Sequence, residues 1–221
     1  MFTVLDKKKA KPVPIKEAQE EAQDQAQEEK EATGQVIEML AAAEGKDMRT
    51  MMLYGDVNEE RAGDMVAGLL MLHGHRKEDE EDADNSIKFY ISTYGGSADD
   101  MFSVYDIMRF VKQECEIETI GMGKIMSAGT LLLASGTKGK RKIFKNCRVM
   151  IHSVSAGNLG TIHNLENELE EIHHLQEMYV SALAEETNMT KRQIRKILDQ
   201  KVNVYLTAEE AVEHGLADEV I

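Results

Sequence analysis

Cysteine, proline and basic residues are the scarce components of this 221-residue chain. The two cysteines, Cys115 and Cys147, are too few for a disulfide framework, so the chain reads as a protein of a reducing, cytoplasmic setting. Lysine and arginine number 26 against 40 aspartates and glutamates, for a formal net charge of −14. That balance excludes a nucleic-acid backbone as partner, because such a partner is bound through a basic surface. It fits a soluble assembly kept apart by like charge. No apolar run is long and uncharged enough to span a bilayer. The opening residues carry Lys7, Lys8, Lys9 and Lys11 without the apolar stretch of a secretory signal. Neither membrane insertion nor secretion is expected.

What is present is the balance of a globular protein, 42% hydrophobic and 30% charged residues. Residues 1–47 stand apart. They hold both prolines, Pro12 and Pro14, and a Glu/Gln/Ala-rich run that favours helix but lacks an apolar stripe until Val36. This segment reads as an acidic arm, helical or disordered, ahead of a domain at 48–221. Within the domain, strands are expected at 49–53, 86–93, 116–122, 147–152 and 204–206. Helices are expected at 58–72, 99–111, 127–135, 161–186 and 190–198, with a last one from Thr207 closed by Gly215. The stretch 73–85 reads as a charged loop. Thr190 with Gln193, and Thr207 with Glu210, have the spacing of capping boxes. Strands alternating with helices imply an α/β fold with a largely parallel sheet.

Open α/β sheets put their chemistry beyond the carboxyl ends of the strands. Three features stand at such ends: the pair Gly95-Gly96, Ser127 at the start of an apolar helix, and His152. A serine at a helix start lies near unpaired N–H groups that suit a developing oxyanion. It needs a base, for which His152 is the histidine at a strand end. A carboxylate must hold the imidazole, and spacing alone leaves that choice open among 40 acidic residues. Each feature also has a plainer reading: a helix cap, a structural histidine and a turn.

The segment from Gly129 to Arg141, followed by Asn146-Cys-Arg-Val-Met-Ile-His152, resembles the proteolytic subunit of the Clp protease family. Ser127-Ala128-Gly129, Gly139-Lys140-Arg141 and Tyr90-Ile-Ser-Thr-Tyr-Gly-Gly-Ser97 agree in order and spacing, as does the tail from Tyr205 to Asp218. The resemblance implies a Clp-protease/crotonase-like spiral of βα units with a protruding handle helix, matched by 161–186. It implies ATP-independent hydrolysis of peptide bonds by Ser127, His152 and Asp199, the last located by counting back from Thr207. Gly96 and the amide of Ala128 would be the oxyanion donors, and Gly95 and Ser97 would flank the substrate edge. No metal or other cofactor is implied. The implied partners are peptide or unfolded polypeptide substrate, further copies of the chain in two stacked rings of seven, and a Clp ATPase ring as a candidate.

Departures accompany the resemblance. The approach to the serine, Gly121-Met-Gly-Lys-Ile-Met126, reads about two residues long, with Lys124 in the extra length, and a shifted serine elbow is expected from it. Tyr94 and Val154 stand where the family has prolines. Other readings therefore remain beside the peptidase: a noncatalytic scaffold subunit of the same fold, a crotonase-like acyl-CoA hydratase or isomerase, and a Ser–Lys peptidase with Lys124 as base. The acidic arm, in place of the family's axial loop, also admits a viral maturation protease working without an ATPase.

Overall fold

The computed structural model describes residues 48–76, 84–157, 159–200 and 202–221. The arm at 1–47 and part of the charged loop at 73–85 therefore lie outside the described residues.

A seven-stranded sheet organises the domain. Its strands are β1 (Thr50–Tyr54), β2 (Ile87–Thr93), β3 (Ile117–Met126), β4 (Lys142–Ile143), β5 (Arg148–Ile151), β6 (Val204–Leu206) and β7 (Glu219–Val220). The order is β1-β2-β3-β4-β7, with β5 added to β3 and β6 added to β5. Every pairing is parallel except β5 with β6. The helices are α1 (Glu59–Gly74), α2 (Ala98–Val111), α3 (Ala128–Ala134), α4 (Ile162–Glu186), α5 (Lys191–Leu198) and α6 (Ala208–Glu213). This is the α/β class with a mostly parallel sheet that alternating strands and helices imply.

The core forms where β2 and β3 meet α2 and α3. Ile87, Phe89 and Ile91 alternate along β2 toward Leu69, Val104, Met108 and the wholly apolar run Leu131–Leu133. Burying a side chain of this size stabilises by about 1.5–3 kcal/mol, so α3 is held by burial rather than by its length of seven residues. Both expected capping boxes form, Thr190 with Gln193 and Thr207 with Glu210. The long helix α4 buries Tyr179, Val180 and Leu183 near its end, whereas Ile162, Leu165 and Leu169 nearer its start are exposed.

Two local differences from the expected elements matter for the site. β3 runs four residues beyond 122, to Met126. It takes four residue steps from Gly121 to Ile125 where β2 takes two from Ile91 to Thr93. The surplus is a bulge centred on Gly123, whose φ of 64° suits glycine. The bulge also divides the neighbours of β3. Ile120 and Gly121 pair with β4, while Lys124, Ile125 and Met126 pair with β5. β5 is thereby laid beside the end of β3, and both strands deliver residues to one place.

Candidate active site

β3 ends at Met126 and α3 begins at Ala128, so Ser127 alone makes the strand-to-helix elbow. Its φ of 53° makes it the one non-glycine with positive φ among the described residues. Its side chain makes no capping bond, so the plain reading of Ser127 as a helix cap does not hold. The hydroxyl instead meets His152, with Oγ 2.7 Å from Nε2. The backbone supports this meeting, because Ser127 N–H donates to the carbonyl of Met150 at 2.9 Å, within the strand that precedes His152. The longer approach to the serine leaves Ser127 within hydrogen-bond reach of His152. The bulge takes up the surplus length upstream.

Glycines make room for so sharp a turn. A Cβ on Gly95 would sit 2.6 Å from the Ser127 Cβ, and one on Gly129 would sit 2.5 Å from Cγ2 of Thr93. A Cβ on Gly96 would strike the carbonyl oxygen of Val57, with which Gly96 forms a parallel bridge. Val57 N–H donates to Gly95 O at 2.8 Å, and Ser97 N–H donates to Val57 O at 2.9 Å. The Gly95 N–H is taken by Thr93 Oγ1 at 2.9 Å. Among the described residues, the N–H groups of Gly96 and Ala128 enter no hydrogen bond. Both Gly96 and Ala128 line the same cleft as Ser127 and His152. Unpaired amides beside a nucleophile can stabilise negative charge on a substrate oxygen. Ser97 has a different part: its Oγ accepts from Asp100 N–H at 3.2 Å and caps α2.

Burial lowers the pKa of His152 below its ordinary 6.5, which keeps the ring neutral and able to take a proton. The cleft, about 140 Å³, is walled on its apolar side by Met101, Phe102 and Leu175, and Tyr179 also faces it.

Asp199 does not meet His152. It ends α5 as an exposed C-cap residue, and Arg195, whose main partner is Glu177, also feels its charge. Among the described residues the only hydrogen-bond partner of the His152 ring is Ser127. Lys124 is turned elsewhere too, with Nζ over the rings of Tyr54 and Tyr94, at 5.1 and 4.6 Å from their centroids. A Ser–Lys pairing therefore has no geometric support, and the side chain that meets the Ser127 hydroxyl is His152. Among the described residues no group of three metal-ligating side chains is gathered.

Sequence reasoning missed two residues of this region, Thr130 and Tyr179. Their hydroxyls are 2.5 Å apart, and Thr130 Oγ1 donates to the carbonyl of Ser127 at 2.7 Å. Only the position of Thr130 on the first turn after the serine hinted at it.

The Clp protease family model matches residues 28–221. The ATP-dependent Clp protease proteolytic subunit 1 of Corynebacterium glutamicum is 36% identical over 173 residues, 78% of each chain. Subunit 2 of Corynebacterium jeikeium is 35% identical over the same share, and subunit 3 of Frankia casuarinae is 37% identical over 78% of this chain and 76% of its own.

Proposed function

This chain belongs to the Clp protease family and is a serine-type endopeptidase of the Clp kind, and on that premise we propose that Ser127 is its nucleophile, His152 its general base and Asp199 the carboxylate that orients the base. The observation that carries the reading is the 2.7 Å contact of Ser127 Oγ with His152 Nε2 at an elbow flanked by unpaired amides.

Ser127 Oγ attacks the peptide carbonyl as its proton passes to Nε2 of the neutral His152. The N–H groups of Gly96 and Ala128 take the charge that develops on the carbonyl oxygen. His152 then returns the proton to the leaving amine. A water, deprotonated by His152, releases the acyl group from Ser127. The hydrolysis itself uses no nucleotide. The substrate lies extended along the edge beyond Gly96, with one side chain in the cleft of Met101, Phe102 and Leu175. Asp199, which stands apart from His152 in the single chain, would have to join from the connection to β6, whose Val204 pairs with Ile151, next to His152. An Asp199 carboxylate on Nδ1 would fix the tautomer and stabilise the charged ring.

The family acts as an oligomer on peptide substrates. The finer picture proposed is two stacked rings of seven, joined through α4, whose apolar residues Ile162, Leu165 and Leu169 stand exposed in the single chain. The proposed division, an acidic arm at 1–47 ahead of a domain at 48–221, is part of the same reading. A Clp ATPase ring remains a candidate partner and the cytoplasm the proposed compartment. No described helix is long and apolar enough to cross a membrane.

The test is labelling of the full chain with a fluorophosphonate and identification of the modified peptide. Label on Ser127 that disappears in His152→Ala is the expected result. A folded, assembled protein without label would favour the noncatalytic scaffold, the reading that the separation of Asp199 from His152 supports.

A further inference from the structure

The carbonyl of Ser127 is unusually well provided with donors. Thr130 N–H reaches it at 3.0 Å, Thr130 Oγ1 at 2.7 Å, and the hydroxyl of Tyr179 lies 3.4 Å away. Helix geometry accounts for the first of these. The two hydroxyls are side-chain choices, one from α3 and one from α4.

The direction of the protons follows from counting. A threonine hydroxyl has one proton, and that of Thr130 is committed to the Ser127 carbonyl. With that proton on the carbonyl, the 2.5 Å contact between Thr130 Oγ1 and the Tyr179 oxygen is donated by the tyrosine, whose own single proton is then used there and not on the Ser127 carbonyl 3.4 Å away. The relay runs from Tyr179 O–H to Thr130 O–H to the Ser127 carbonyl, each bond polarising the next. Burial pushes the Tyr179 hydroxyl up to about 12, so its proton is kept throughout the working range.

The carbonyl held by this relay shares its peptide plane with the N–H of Ala128. In a trans peptide the two bonds point in opposite directions. Pinning the carbonyl toward Thr130 and Tyr179 aims the Ala128 N–H the other way, and that N–H has no partner among the described residues. The pinned residue has φ 53° and ψ −121°, a combination that an L side chain disfavours, and its ψ sets the direction of this plane, so the bonds to the carbonyl hold a strained orientation in place.

We propose that Thr130 and Tyr179 are positioning residues for catalysis: acting through the Ser127 carbonyl, they aim the Ala128 amide at the developing oxyanion. The proposal rests on Ser127 being the nucleophile. It adds a function to a buried pair that would otherwise serve only to satisfy two hydroxyls.

Three variants of the full chain separate these roles: Thr130→Val, which keeps the volume; Tyr179→Phe, which keeps the ring; and Thr130→Ser, which keeps the hydroxyl. For each, kcat and KM are measured on a fluorogenic peptide, the rate of fluorophosphonate attachment to Ser127 is followed, and a melting curve is recorded. Thr130→Val and Tyr179→Phe are expected to lose about tenfold or more in kcat and labelling rate, with KM little changed, because only the transition state uses the aimed amide. Thr130→Ser is expected to recover most of the loss. The double variant should fall no further than Thr130→Val, since the relay acts as one unit. If Thr130→Val does not fold, Tyr179→Phe, which removes a single oxygen, decides alone. Folded variants that label and turn over at the wild-type rate would overturn the proposal. A wild-type protein that takes no label on Ser127 would overturn the nucleophile reading, and this proposal with it.

Discussion

The backbone N–H of Ser127 donates to the carbonyl of Met150 at 2.9 Å, so the serine elbow is tied to the strand that leads into His152. The proposed nucleophile and base thus follow one hydrogen-bonded pair of strands, β3 and β5. The distance between Ser127 and His152 inherits the stiffness of the sheet.

Gly95 is the residue most exposed to a test of that stiffness. It has a φ of 99°, and its added Cβ would stand 2.6 Å from the Cβ of Ser127. Gly95→Ala is expected to displace the elbow by a fraction of an ångström and to cost about a hundredfold in kcat. Gly123→Ala is the companion variant: its φ is 64°, yet the nearest atom to its Cβ is Ser92 Oγ at 3.5 Å. It should cost about 1 kcal/mol of stability with much less effect on turnover. Comparable losses of kcat in the two variants would show that steric pressure on Ser127 is not the reason for Gly95.

The pH dependence follows from the state of His152. The base must be neutral to accept the serine proton, and burial lowers its pKa below 6.5. Activity is therefore lost as pH falls through the lowered pKa, and the acid limb of kcat/KM should lie below pH 6.5. A carboxylate arriving on Nδ1 would raise the pKa and move that limb upward. Profiles of the wild type and Asp199→Asn, measured side by side, should show the variant with the lower limb if Asp199 engages in the working enzyme.

The same variant measures the third member directly. Asp199→Asn is expected to lower kcat by roughly 10⁴-fold, the scale for loss of an orienting carboxylate. A kcat within a few-fold of the wild type would mean that Ser127 and His152 work as a pair, as they stand in the single chain.

Arg141 and Asp218 carry a prediction about stability. The side chain of Arg141 is 4% exposed, and its guanidinium bonds Asp218 at 2.9 and 2.5 Å and also donates to the carbonyls of Ala134 and Glu186. Burial works against the Asp218 charge, but bonds from the Arg141 side chain and from the amides of Arg141 and Gly139 outweigh it and hold the carboxyl below its ordinary 3.8. The stabilisation is complete above that value and is lost as pH falls through the lower, folded pKa. Asp218→Asn leaves a buried cation without its counter-charge and should cost about 3 kcal/mol in denaturant unfolding near neutral pH. The cost should shrink below pH 4, where the wild type loses the same charge. An unfolding midpoint that does not move would show that the pair is replaceable by a neutral hydrogen bond.

Local chemistry made much of this protein legible in its sequence. Capping boxes at Thr190 and Thr207 depend on residues three apart, and both form. The strand of alternating Ile87, Phe89 and Ile91 and the apolar run of α3 announce their burial by period and length alone. Ser127, Gly96 and His152 were marked by their places at strand ends, which a parallel sheet turns toward one edge. The two-residue strands β4 and β7 were not legible, because two residues have no periodicity and are held only by partners far along the chain.

What the tertiary structure alone decided is how distant residues are brought into register. The bulge at Gly123 exists because β2 and β3 differ in length between their paired ends, and neither strand records that difference by itself. The same limit applies to the bond of Thr130 with Tyr179, 49 residues away, and to that of Arg141 with Asp218, 77 residues away. By itself the sequence determined the element types, the caps and the residues able to do chemistry, because propensity, period and side-chain type act over a few residues. The folded chain decided that Ser127 meets His152 while Asp199 stands apart, because each of those distances is the sum of many packed contacts that no short stretch contains.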